Sequence, residues 1–139
     1  MAKVNFFTED VDFSLSKPRK TSAWLSASAA KEKFNIASLS YIFCNDSFLL
    51  DINQRFLNHN SLTDVITFDY SEKPAELAGE IYISIQRIGE NAAKFNTTFD
   101  DELHRVMIHG ALHLMGYLDK TPAAKALMRK KEEAYLSLR

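Results

Sequence analysis

The sequence predicts an α/β domain, a small mixed β-sheet of about four strands packed with helices. Three observations predict it. Segments rich in β-formers alternate along the chain with segments whose apolar residues fall at helical spacing. The 139 residues suit one domain, and a chain of this size buries roughly two-thirds of the surface its unfolded form exposes. A hydrophobic content of 46% with 25% charged residues is globular and excludes disordered or collagen-like chains. No internal repeat and no Gly-, Ser- or Pro-rich tract divides the chain, so residues 1–139 read as a single domain.

The elements follow in order. Val4-Asn5-Phe6-Phe7 reads as the first strand, with Val11-Asp12-Phe13 continuing it or pairing nearby. Lys17-Pro18-Arg19-Lys20 punctuates. Thr21 or Ser22 then caps a helix to about Phe34, with Trp24, Leu25, Ala29 and Phe34 at loose helical spacing. Ser38 to Cys44 is a strand by composition. Asn45 or Asp46 caps a helix over about Ser47 to Leu57, and the NHNSL stretch after it is a turn cluster. Thr63 to Phe68 alternates as a strand, and Tyr70 to Ala78 is a polar loop. Gly79 to Ile85 alternates again, with Ile81, Ile83 and Ile85 on one face. Gln86 to Phe95 is a short helix. Asp100 or Asp101 opens a longer one to about Met115, stopped by Gly116. Thr121 caps the last helix, with Pro122 at its first position and a charged tail at its end.

Charge and cysteine content narrow the function. The 17 basic and 18 acidic residues leave a net charge of −1, so no basic field favours nucleic acid. The single Cys44 cannot form an internal disulfide, which argues for a reducing, cytoplasmic location. No apolar run approaches the ~20 residues of a membrane helix. The N-terminal residues turn acidic before a signal-peptide core could develop.

The end of the long helix carries the chemistry. His109 and His113 lie four residues apart, so on a helix they point the same way one turn apart. That spacing lets two imidazole nitrogens meet one metal ion at ~2.0–2.1 Å. A third ligand must arrive from another direction. Gly116 can fold the chain back and return Asp119 toward the histidines. Three protein ligands leave one position for water, the pattern of a catalytic zinc site. On a helical wheel Glu102, Arg105, His113 and Gly116 fall within about 40° of His109, beside the apolar set Leu103, Met107, Gly110 and Leu114. Unpaired imidazoles at that border of the core would cost free energy that a metal offsets. The bland alternative is a pair of satisfied core histidines. Gly110, where a HExxH peptidase needs Glu, argues against proteolysis. His104 lies about 140° from His109 on the wheel, and His59 sits in the turn cluster; both read as solvated.

His109 to Asp119, HGALHLMGYLD, resembles the H-G-x-L-H-L-x-G-Y-D-H signature of the YbeY endoribonucleases. Upstream, Ile52-Asn53, Phe56 and Leu62 to Phe68 (LTDVITF) are similar to that family's L-N-x-x-Y-R and P-T-D-V-L-S-F blocks. Gly79 to Ser84 (GEIYIS) is similar to its G-D-I-x-I-S strand. The blocks span about residues 52 to 119 in the family's order. The resemblance implies an α/β fold with one Zn2+, or another divalent ion, held by three side chains at the end of the long helix. It implies single-strand-specific RNA cleavage in 3′-end maturation of small-subunit (16S) ribosomal RNA, with ribosome association and quality control.

Two positions depart from the pattern. The third ligand of the family is His, and Asp119 stands there. Carboxylate oxygen is an ordinary zinc ligand, but its charge leaves bound water less acidic. The family's Arg falls on Leu57. Arg55, turned about 200° away on a helix, and Arg105 are the candidates to bind the substrate phosphate; a surface arginine with no such role is the alternative for each. Two other readings stay open: a non-haem iron enzyme with two His and one carboxylate, and a non-catalytic ribosome-assembly factor that keeps the metal. With a net charge of −1, binding to naked RNA is expected to be weak and guided by the ribosome.

Overall fold

The computed structural model describes residues 3–57 and 63–139. The elements are β1 (Val4–Thr8), α1 (Pro18–Lys31), β2 (Asn35–Cys44), α2 (Asp46–Leu57), β3 (Val65–Asp69), β4 (Glu76–Ser84), α3 (Ile85–Lys94), α4 (Phe99–Leu114) and α5 (Pro122–Leu136). The strands form one sheet in the order β1-β2-β4-β3. β1, β2 and β4 run parallel, and β3 is the antiparallel edge beside β4. The sheet is therefore mixed and four-stranded, as the sequence predicts. Among the described residues no helix is long and apolar enough to cross a membrane.

Alternation along the central strands divides the core. Leu39, Tyr41 and Phe43 of β2 and Ile81 and Ile83 of β4 bury their side chains with Trp24 and Leu25 of α1, Met107, Ile108 and Leu112 of α4, and Met128 and Tyr135 of α5. A smaller cluster joins Cys44 and Ile66 to Leu49 and Ile52 of α2, with Phe48, Phe68 and Tyr82 packed against it. Two buried hydrogen bonds fix the layers: Tyr41 Oη donates to the Met107 carbonyl at 2.9 Å, and Trp24 Nε1 to the Tyr135 carbonyl at 2.7 Å. The long helix α4 thus lies on the sheet, with α5 against it.

Several boundaries differ from the sequence expectation, each for a physical reason. Residues 11–13 form no strand. Asp10 takes a left-handed conformation (φ 59°) that ends the extended run, and Phe13 turns inward against Phe43, with ring centroids 5.1 Å apart. Helix α1 begins at Pro18, not after Thr21 or Ser22, because proline suits the first helical position, and it stops at Lys31 before Phe34. Thr21 is instead a buried helical residue whose hydroxyl donates back to the Lys17 carbonyl. β2 starts at Asn35 and β4 at Glu76, inside the expected loop, because the two pair there and bury the partners Ile36 and Leu77. Residues 58–62, with the expected turn and His59, lie outside the described residues.

The cap of α4 differs from the sequence expectation. Thr98 caps α4 by accepting from the Asp101 amide at 3.1 Å. Asp100 and Asp101 sit in the first turn, where the helix dipole favours carboxylates. Asn45 caps α2 through the Phe48 amide, and Thr121 caps α5 with Pro122 behind it, as expected.

Candidate metal centre

Helix α4 ends at a glycine that redirects the chain. Gly116 has φ 107°, its amide donates to the His113 carbonyl at 3.0 Å, and the Tyr117 amide donates to the Leu112 carbonyl at 3.1 Å. This is a Schellman cap, which reverses the chain over the last helical turn. Asp119 is thereby returned to the face carrying His109 and His113. Gly110 lets that helix sit close to β4, since a Cβ there would stand 2.9 Å from Ile81 Cγ2.

The three expected ligand residues converge. His109 Nε2 lies 3.0 Å from His113 Nε2 and 3.5 Å from Asp119 Oδ2, and His113 Nε2 lies 3.4 Å from Asp119 Oδ2. Bonds of ~2.0–2.1 Å to a tetrahedral ion require ligand atoms about 3.3 Å apart. The triangle therefore has the size of one face of a zinc tetrahedron. The residues fit the ion chemically as well, with two neutral nitrogens and one carboxylate oxygen. Each ligand residue is partly exposed, so the fourth corner can face solvent.

Glu132 completes the support. His109 Nδ1 donates to Glu132 Oε2 at 2.6 Å, which leaves the Nε2 lone pair facing the other two ligands. Arg105 Nη1 in turn donates to Glu132 Oε1 at 3.2 Å. Burial disfavours the His109 imidazolium, but Glu132, Asp119 and Asp64 outweigh it and push the pKa up. A field that favours imidazolium favours a metal cation on the same ground.

Asp64 stands at the start of β3. Burial pushes its carboxyl up, with His109 pulling the other way. Its Oδ2 accepts from Asn91 Nδ2 at 3.5 Å.

The centre opens on a cleft of about 480 Å³ lined by Asp64, Phe95, Arg105, His109, Asp119 and Glu132 among others. Arg105 therefore reaches the cleft, but tied to Glu132. Arg55 is exposed on α2, pairs with Asp51 at 3.4 Å, and is not among the residues lining the cleft. His104 is not solvated as expected: it is half-buried against Trp24, with ring centroids 5.5 Å apart, and contacts Arg139. It lines a separate cleft of about 650 Å³ near the start of α1 and α4 that holds none of the three ligands.

Glu132 was missed because α5 ends in a run of charges. Its signal was present: Met128, Glu132 and Tyr135 share one helical face and all three are buried. A carboxylate on an apolar stripe needs a partner.

Comparison with known proteins gives a consistent result. A family profile described as "Endoribonuclease YbeY" matches residues 4–138. A protein named "Endoribonuclease YbeY" from Cytophaga hutchinsonii is 50% identical over 134 residues, covering 96% of this chain and 94% of that protein. One of the same name from Flavobacterium psychrophilum is 48% identical over 132 residues, covering 95% and 94%. A solution structure from Thermotoga maritima matches with a TM-score of 0.63 at 29% identity, covering 96% of this chain and 87% of the other.

Proposed function

Since the chain belongs to the YbeY endoribonuclease family, we propose that it is a single-strand-specific metallo-endoribonuclease that uses one zinc ion in 3′-end maturation of 16S ribosomal RNA on ribosomal particles. The observation that carries the metal reading is the triangle of His109 Nε2, His113 Nε2 and Asp119 Oδ2, sized for one ion. A zinc ion bound there would supply Lewis acidity toward a phosphoryl oxygen and would lower the pKa of a water. His109, His113 and Asp119 would hold the ion. Glu132 keeps the His109 proton on Nδ1 and fixes the ring. Arg105 offers a guanidinium in the cleft to a phosphate. Arg55, on the exposed face of α2, is the candidate for a phosphate farther along the strand.

Electrostatics make the ion necessary for substrate binding too. The cleft is lined by the cations Arg105, Lys125 and Arg129 and by four carboxylates, Asp64, Glu102, Asp119 and Glu132. A divalent ion reverses that formal balance in favour of a polyanion. With a chain charge of only −1 to work from, binding stays weak and salt-sensitive. An ion-loaded cleft and a ribosomal partner replace the missing global field.

The test is cleavage by zinc-loaded protein of a single-stranded RNA, of its duplex, and of a 16S precursor carrying a 3′ extension. The expected result is cutting of the single strand and trimming of the precursor on ribosomal particles, both lost on chelation and restored by Zn2+. Cleavage that survives complete metal removal, or a duplex cut as readily as the single strand, would overturn the reading.

A further inference from the structure

Phe95, the residue after α3, lines the metal cleft and is 61% exposed. A lone exposed Phe is ordinary; its surroundings are what matter here. The turn that carries it is fixed. The Phe95 amide donates to the Asn91 carbonyl at 2.9 Å, the Thr97 amide donates to the Ala92 carbonyl at 3.0 Å, and Asn96 between them is left-handed (φ 54°). Lys94 Nζ stands 5.5 Å from the ring centroid. The same cleft holds His109, Asp119, Lys125 and Arg129. An exposed aromatic ring on a hydrogen-bonded turn thus lines the same cleft as the candidate metal centre, with Lys94 over one of its faces.

We propose that Phe95 is a base-stacking platform: a nucleobase of single-stranded RNA stacks on its exposed ring while the adjoining phosphate occupies the metal centre. The proposal rests on the ribonuclease reading and adds a source for its strand preference. In a duplex both faces of a base are covered by its neighbours, so only an unpaired base can present a free face to Phe95. Stacking on an aromatic ring is tolerant of sequence because every base has such a face. Lys94 is placed to meet the backbone of the stacked nucleotide. A protein partner that covers Phe95 is the competing occupant. The phosphate-binding chemistry of the cleft favours RNA.

The test uses the zinc-loaded protein, with Phe95→Trp as reporter. Native Trp24 is 6% exposed and shielded from solute. The protein is titrated with a short oligouridylate and with an abasic oligomer of equal charge. The expected result is quenching of Phe95→Trp by the oligouridylate; wild-type protein, followed by anisotropy of end-labelled oligomers, binds the oligouridylate about 5-fold or more tightly than the abasic oligomer, and the difference is abolished in Phe95→Ala. In cleavage assays Phe95→Ala raises KM for single-stranded RNA about 5-fold or more and leaves kcat within about 2-fold. Equal binding of the two oligomers by wild-type protein, or wild-type KM in Phe95→Ala, would overturn the proposal and point to a protein occupant. Base-dependent quenching in a protein that cleaves no RNA would overturn the ribonuclease reading and leave the platform standing.

Discussion

A His113→Ala variant is expected to lose zinc binding and to cleave single-stranded RNA about 10³-fold or more slowly, while its metal-free form unfolds close to the temperature of metal-free wild type. Three ligands already leave one corner of the ion open, and removing a second corner leaves two protein bonds to hold it. The chemistry the ion supplies is worth several kcal/mol of transition-state stabilisation, and each 1.36 kcal/mol is a factor of ten. The stability of the metal-free protein is a separate quantity. The His113 side chain is 24% exposed at the end of α4 and its truncation opens no deep cavity, so the change in folding free energy should stay within about 1 kcal/mol. His104→Ala provides the contrast on the same helix. It touches Trp24 and Arg139 and none of the ligand triangle, so it should keep zinc and activity. Metal content by mass spectrometry, cleavage rate and thermal unfolding on the two variants check this together. Full zinc occupancy in His113→Ala would contradict the ligand assignment.

The second large effect lies away from the cleft. Glu32, just beyond α1, has a side chain 10% exposed and gathers three donors. Tyr117 Oη donates at 2.5 Å, Lys131 Nζ at 2.9 Å, and Tyr135 Oη donates to the same carboxylate. Lys131 also stands 5.5 Å from the Tyr117 ring centroid. One carboxylate thus ties α1 to α5 and to the segment between Gly116 and Asp119. Glu32→Gln is expected to lower stability at neutral pH by about 2–4 kcal/mol, the scale for breaking a buried charged network.

The pH dependence has a definite sign. Burial pushes the Glu32 carboxyl up, but the hydrogen bonds from Tyr117, Tyr135 and Lys131 outweigh it and hold the pKa below its ordinary value of 4.5. A depressed carboxyl stabilises the fold above its unfolded value and loses that contribution as pH falls through the folded one. Urea unfolding at neutral pH and at about pH 3 should therefore show a gap between wild type and Glu32→Gln that narrows on acidification. A gap of the same size at both pH values, or none at neutral pH, would contradict this account.

How much was legible beforehand follows from what is local. The convergence of His109, His113 and Asp119 could be read because the three lie within eleven residues: helical spacing aligns the two histidines, and a single left-handed glycine returns Asp119. The alternation of strands and helices was legible for the same reason, since periodicity is carried by neighbours. The missing parts depend on partners distant in the chain. Asn35-Ile36 and Glu76-Leu77 have weak strand signals and are extended because they pair with each other. Glu132 orients His109 from 23 residues away, and Glu32 meets Tyr117 across 85 residues. The start of α1 differs from expectation for a local reason: Pro18 favours the first turn of the helix and does not break the chain there. Arg105 was placed correctly beside His109 by the wheel, but its commitment to Glu132 could be seen only once α5 was in position.

The central claim is that one metal ion is held by two imidazoles and a carboxylate at the end of α4. Its most direct test is a crystal structure of zinc-replete protein with anomalous data at the zinc edge. The account predicts a single strong peak per chain, bonded to His109 Nε2, His113 Nε2 and an Asp119 carboxylate oxygen at ~2.0–2.2 Å, with Glu132 on His109 Nδ1. A peak coordinated without Asp119, or zinc bound elsewhere with the two histidines left free, would contradict it.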